Sequence, residues 1–61
     1  MKILKQFKGE DHWEEISLNE ALEKLKGGYK EGTIITMLKE GATLETPFSF
    51  YRLKVGIEND S

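Results

Sequence analysis

Two stretches of the chain gather the residue types that can do chemistry. Glu10-Asp11-His12-Trp13-Glu14-Glu15 sets four carboxylates around one imidazole and one indole. A metal site needs three or four ligands held in geometry. With one His and no Cys in the chain, no metal and no cofactor is expected, and a solvated acidic loop is the simpler reading. Trp13 either fills a small core or offers a ring for stacking. The second stretch holds Thr46, Phe48, Tyr51, Arg52 and Lys54. Arg52 is the only arginine among nine basic residues, and its planar fork suits a bidentate grip on phosphate or carboxylate. Tyr51 beside it would support a stacked base. An ordinary amphipathic strand with an exposed Arg is the alternative.

Nucleophilic catalysis finds little material. There is no Cys, Ser17 reads as a helix cap, Ser49 falls in a strand, and no spacing supplies His12 with an orienting carboxylate. The expected protein is not an enzyme. Gly27-Gly28 and Gly32 bracket Tyr29-Lys30. Small residues there bring backbone amides within reach of an anion, above all if Thr33 opens a helix. A helix stop followed by a turn is the other reading.

The elements that must position these residues follow from the apolar pattern. Ile3 and Phe7 on one side of Leu4 suggest a strand over residues 2 to 8, ended by Gly9. Ser17-x-x-Glu20 is a capping box, with Ile16 and Ala21 at the staple positions. Leu18, Ala21, Leu22 and Leu25 then mark one face of a helix that Gly27-Gly28 stops with positive φ. Residues 33 to 40 fit a short helix from a Thr33 cap to a Gly41 stop, while the β-branched Thr33-Ile34-Ile35-Thr36 also suits a strand.

Residues 43 to 56 read as the main strand. Phe48 and Phe50 fall on one face and Tyr51, Leu53 and Val55 on the other. Large apolar groups on both faces call for a bulge near Phe50-Tyr51 or for a second cover. The expected architecture is α+β: strand-helix-helix-strand, with a small antiparallel sheet and the helices on one face. Residues 1 to 56 form the domain, and 57 to 61 a frayed tail.

At 61 residues with 33% charged side chains and a formal charge of −2, the chain is one domain of marginal size. Without disulfides, oligomerisation is the expected reinforcement, and a sheet of two strands needs extension. No apolar run approaches a membrane span or a signal-peptide core. The mildly acidic balance disfavours nucleic acid.

Ser17-Leu18-Asn19-Glu20-Ala21-Leu22-Glu23-Lys24-Leu25-Lys26-Gly27-Gly28 resembles the opening helix of small phage-encoded "sponge" proteins of the Thoeris anti-defence type, which bind nucleotide immune signals. Gly32-Thr33, Leu38, Gly41, Leu44, Thr46-Pro47-Phe48 and Tyr51-Arg52 resemble a pattern that recurs in tiny phage and prophage proteins. Tyr29-Lys30-Glu31 is shorter and less basic than the stretch that follows the helix in the sponge proteins, and no binding residue transfers by motif. The resemblance implies a phage-type accessory protein in the cytoplasm of an infected or lysogenic bacterial host. The expected function is sequestration of a phosphate-bearing nucleotide at a boundary between identical subunits. Arg52 would meet phosphate, Tyr51 or Trp13 the base, and Thr46, Tyr29 and Lys30 would add polar contacts. The alternative is an inhibitor or adaptor that docks on a host protein through the acidic, Trp13-bearing surface.

Overall fold

Ser17 ends a strand and starts a helix in one step. Its extended backbone (φ −79°, ψ 160°) and its hydroxyl oxygen, which accepts from the Glu20 amide at 3.1 Å, open the first helix. The computed structural model describes residues 1–55. Their elements are β1 (Lys2–Phe7), β2 (Glu14–Ser17), α1 (Leu18–Leu25), α2 (Glu31–Lys39), β3 (Leu44–Glu45) and β4 (Ser49–Leu53). The proposed tail, 57 to 61, lies outside the described residues.

The fold is α+β, with an antiparallel sheet in the order β2-β1-β4-β3. The expected strand-helix-helix-strand sequence gains two strands. Glu14–Ser17, of which Glu14-Glu15 reads as acidic loop and Ile16-Ser17 as staple and cap, pairs with β1 so that Ile3 faces Ile16. The long strand over 43 to 56 is instead a hairpin. Thr46 N–H donates to the Ser49 carbonyl at 2.9 Å, and the Thr46 hydroxyl oxygen accepts from the Ser49 amide at 3.0 Å. Pro47 sits inside that turn, where its fixed φ helps and its missing N–H costs nothing. Phe48 is therefore a turn residue, 76% exposed, and shares no strand face with Phe50. No bulge is needed to place Tyr51.

The core lies between the helices and one face of the sheet. Ile3, Ile16, Leu44 and Tyr51 meet Ala21, Leu25, Ile34 and Leu38. Leu18 and Leu22 complete the predicted apolar face of α1 and pack against this cluster. Residues 33 to 40 take the helical alternative. Burial of Ile34 and Leu38, one turn apart, outweighs the modest helix propensity of β-branched residues. The start differs from expectation: Lys30 is the N-cap and makes no side-chain cap bond, so Thr33 lies inside the first turn.

Gly41 ends α2 as expected. At φ +89° it supports bonds from its own amide to the Leu38 carbonyl (3.1 Å) and from the Ala42 amide to the Met37 carbonyl (3.0 Å), the Schellman pattern. Gly27-Gly28 does not follow expectation. Among the described residues the positive-φ glycines are Gly9 and Gly41. After α1 the chain turns through bonds from the Gly28 and Tyr29 amides to the Leu25 carbonyl.

Candidate functional site

Alternation along the strands creates a second sheet face that neither helix covers. Leu4 and Gln6 lie there in β1, alternating with the core-facing Ile3 and Lys5, and cross-strand register adds Glu15, Phe50, Arg52 and Glu45. Leu4, Gln6, Trp13 and Phe50 are half-buried. The charged side chains Lys2, Lys8, Glu15, Glu45, Arg52 and Lys54 surround them. This open face is an apolar strip in a charged frame.

Trp13 and Arg52 form its centre. Trp13 immediately precedes β2, and Arg52 lies in β4, two strands across. Arg52 Cζ is 4.3 Å from the centroid of the Trp13 ring. The planar cation therefore lies against the electron-rich π-system. At the other end, Lys8 Nζ lies 5.3 Å from the centroid of Phe50 and pairs with Glu45. Along the remaining side, Lys54 Nζ donates to Glu15 Oε1 at 3.0 Å, and Lys2 lies 3.9 Å from the same carboxylate. The hydrogen bond from Lys54, then its charge, and more weakly that of Lys2 hold the Glu15 carboxyl below its ordinary pKa, against a small opposing effect of burial.

The residues expected to form one site fall in three places. Trp13 and Arg52 come together on the open face. Tyr51 does not join them: it follows the opposite phase and is buried among the helices. There burial, opposed by a hydrogen bond with Ser49 and reinforced by the Glu20 and Glu14 charges, pushes its phenol pKa up. Stacking of a base on Tyr51 beside Arg52 is thus ruled out by strand geometry. Thr46 holds the β3–β4 turn. Tyr29 reaches the same region, its hydroxyl donating to the Glu45 carbonyl at 3.3 Å. Lys30 is exposed at the start of α2, apart from both groups.

The anion cradle suggested by the glycines and Thr33 is not formed either. Thr33 lies within α2, and Glu31 places a carboxylate in its first turn, where the dipole already favours negative charge. In the acidic loop, His12 Nε2 lies 3.7 Å from Glu10 Oε1, both well exposed. Among the described residues no group of three or more His, Asp or Glu side chains is placed to hold a metal ion, and no helix is long and apolar enough to cross a membrane.

Sequence reasoning missed Leu4, Gln6, Lys8 and Phe50 on the open face. The alternation Ile3-Leu4-Lys5-Gln6 carried that signal for β1. Phe50 was hidden because the turn at Pro47 was read as strand. Compared with family models, with curated proteins and with solved structures, the chain matches none.

Proposed function

We propose that the protein is a non-catalytic binding protein, of the phage counter-defence type, that sequesters a phosphate-bearing nucleotide on its open sheet face. The observation that carries this reading is the 4.3 Å contact between Arg52 and Trp13 on a surface that no helix covers. The ring offers a stacking platform for a base. The guanidinium beside it offers a bidentate partner for phosphate. A sheet face is one wall only, and small-ligand sites bury most of their ligand. A second copy meeting the first across this face supplies the other wall, which puts the ligand at a subunit boundary in a homo-oligomer. Within one chain, four strands and the Pro47 turn already answer the need for a larger sheet and for a cover over Tyr51. The half-buried Leu4, Gln6, Trp13 and Phe50 are what assembly would cover.

Calorimetric titration with cyclic nucleotides and ADP-ribose derivatives tests the reading. Heat that disappears in Arg52→Ala supports it, and no heat with no thermal shift for any of them removes it. Native mass spectrometry of protein purified from cells adds the assembly: an oligomer that carries extra non-covalent mass is the expected species.

A second reading rests on the composition of the same face. An aromatic and aliphatic centre framed by charges also describes a protein–protein hot spot. An inhibitor or adaptor of a host protein would use it through Trp13. In that case Trp13→Ala abolishes the partner complex and leaves the fold intact, while nucleotides give no signal.

A further inference from the structure

The bare face of the sheet carries two aromatic platforms, and each has a cation beside it. Arg52 Cζ lies 4.3 Å from the Trp13 centroid, and Lys8 Nζ lies 5.3 Å from that of Phe50. Arg52 and Phe50 are alternate residues on one side of β4, about 7 Å apart at the pitch of a strand, so the rings they mark are separate platforms. Gln6 stands opposite Phe50 in register. Its side-chain amide makes no hydrogen bond among the described residues and is open to solvent. Such an amide both donates and accepts, as the edge of a base does.

Charge on this face is uneven. At the end where β1 begins, Lys2 and Lys54 both approach the Glu15 carboxylate. Arg52, in line with Glu15 across β1, forms no ion pair among the described residues. Three cations and one carboxylate of the described face therefore meet there. At the other end Lys8 pairs with Glu45, and the β1–β2 loop brings Glu10 and Asp11. The formal charge of −2 averages over both ends and hides a positive one, toward which an approaching phosphate is steered.

We propose that the bare face binds single-stranded nucleic acid. The sugar–phosphate backbone crosses the strands along the end that holds Lys2, Lys54 and Arg52. Two bases lie inward of it, one on Trp13 and one on Phe50, with the Gln6 amide at the edge of the second. Open antiparallel sheets of four strands stack the bases of single-stranded RNA on their aromatic side chains, and such stacking tolerates any sequence. A duplex hides its base faces and gains nothing from the rings. The proposal shares the Trp13–Arg52 pair with the free-nucleotide reading but needs neither a small ligand nor a second subunit.

Trp13 is the only tryptophan, so its emission reports stacking directly. The test is a titration of the full chain, at low salt, with oligothymidylate and oligouridylate, and with a mixed-sequence DNA duplex as control. Saturable quenching by the single strands is expected, weakening with added salt at a log–log slope of about −0.7 per phosphate contacted, with far less quenching by the duplex. Phe50→Leu, which keeps an apolar side chain and removes the ring, should weaken binding about fivefold or more. Arg52→Ala should weaken it and make the salt slope shallower by about 0.7. No quenching by the single strands, equal quenching by the duplex, or unchanged affinity in both folded variants overturns the proposal. If Phe50→Leu lacks the native amide spectrum, Arg52→Ala, on an exposed side chain, carries the test, and unchanged affinity there overturns it. Heat from free nucleotides with no response to either single strand overturns this proposal and leaves the free-nucleotide reading standing; response to the single strands with no heat from free nucleotides does the reverse.

Discussion

Tyr51 and Arg52 are neighbours in β4 that belong to different surfaces: the tyrosine is sealed beneath the helices and the arginine lies over Trp13 on the opposite side. Replacing either therefore has separable effects. Arg52→Ala should remove nucleotide binding while changing stability by no more than about 1 kcal/mol, the scale of an exposed cation–π contact. Calorimetry and urea denaturation of the same preparation check both halves. A loss of several kcal/mol would instead make Arg52 part of the framework.

Ser17→Ala removes the hydroxyl that accepts the Glu20 amide. Loss of an N-cap of this kind costs about 1 kcal/mol. In a domain this small, that should lower the melting temperature by several degrees, on the order of 4–8 °C. Ser17→Asp, which keeps an acceptor and adds a charge favourable to the dipole, should restore most of it. Thermal melts by circular dichroism decide this.

Gly41→Ala tests the backbone alone, since a Cβ there meets nothing within 4 Å and the strain comes only from φ +89°. About 1 kcal/mol of destabilisation is expected, with Gly41→Asn less costly because Asn tolerates this region better. Gly28→Ala is the control: its Cβ also has open space and its φ is not positive, so stability should hold or rise slightly.

Two ionisable groups give opposite pH dependence. Glu15 has a folded-state pKa below its ordinary 4.5. Its contribution is present above the unfolded value and is lost as pH falls through the folded one. Stability measured below pH 4.5 should therefore fall less steeply in Glu15→Gln, and added salt should weaken the effect. Tyr51 has a folded-state pKa above its ordinary 10.0. Its contribution is present below the unfolded value and is lost as pH rises through the folded one. Phenolate absorbance should show one tyrosine titrating above pH 10, and that component should vanish in Tyr51→Phe.

What the sequence made legible was local. Ser17, Glu20 and the Leu18-Ala21-Leu22-Leu25 spacing specify α1 within a single stretch, and Gly41 marks the end of α2 through its own conformational freedom. What stayed hidden depends on other parts of the chain. β2 has one buried side chain, Ile16, too few to show alternation, and exists because β1 pairs with it. Thr46-Pro47-Phe48-Ser49 carried turn chemistry, but its flanking aromatics imitated a continuous strand. Arg52 and Trp13 were both identified, yet their contact comes from a register running Glu15, Leu4, Arg52 across three strands, which no spacing rule reaches.

The placement of β1 between β2 and β4 also governs when this chain can fold. Ile3 pairs with Leu53 and Phe7 with Ser49, so the central seam of the sheet joins segments near opposite ends of the described residues. Closing so long a loop costs entropy before any contact repays it, and distant pairing slows folding. A nascent chain lacking β4 holds β1 with one edge open and the core without Tyr51. Such a chain is a substrate for proteases and for aggregation through that edge. Folding should accordingly be all-or-none, with truncation just before Ser49 yielding no native amide spectrum at all.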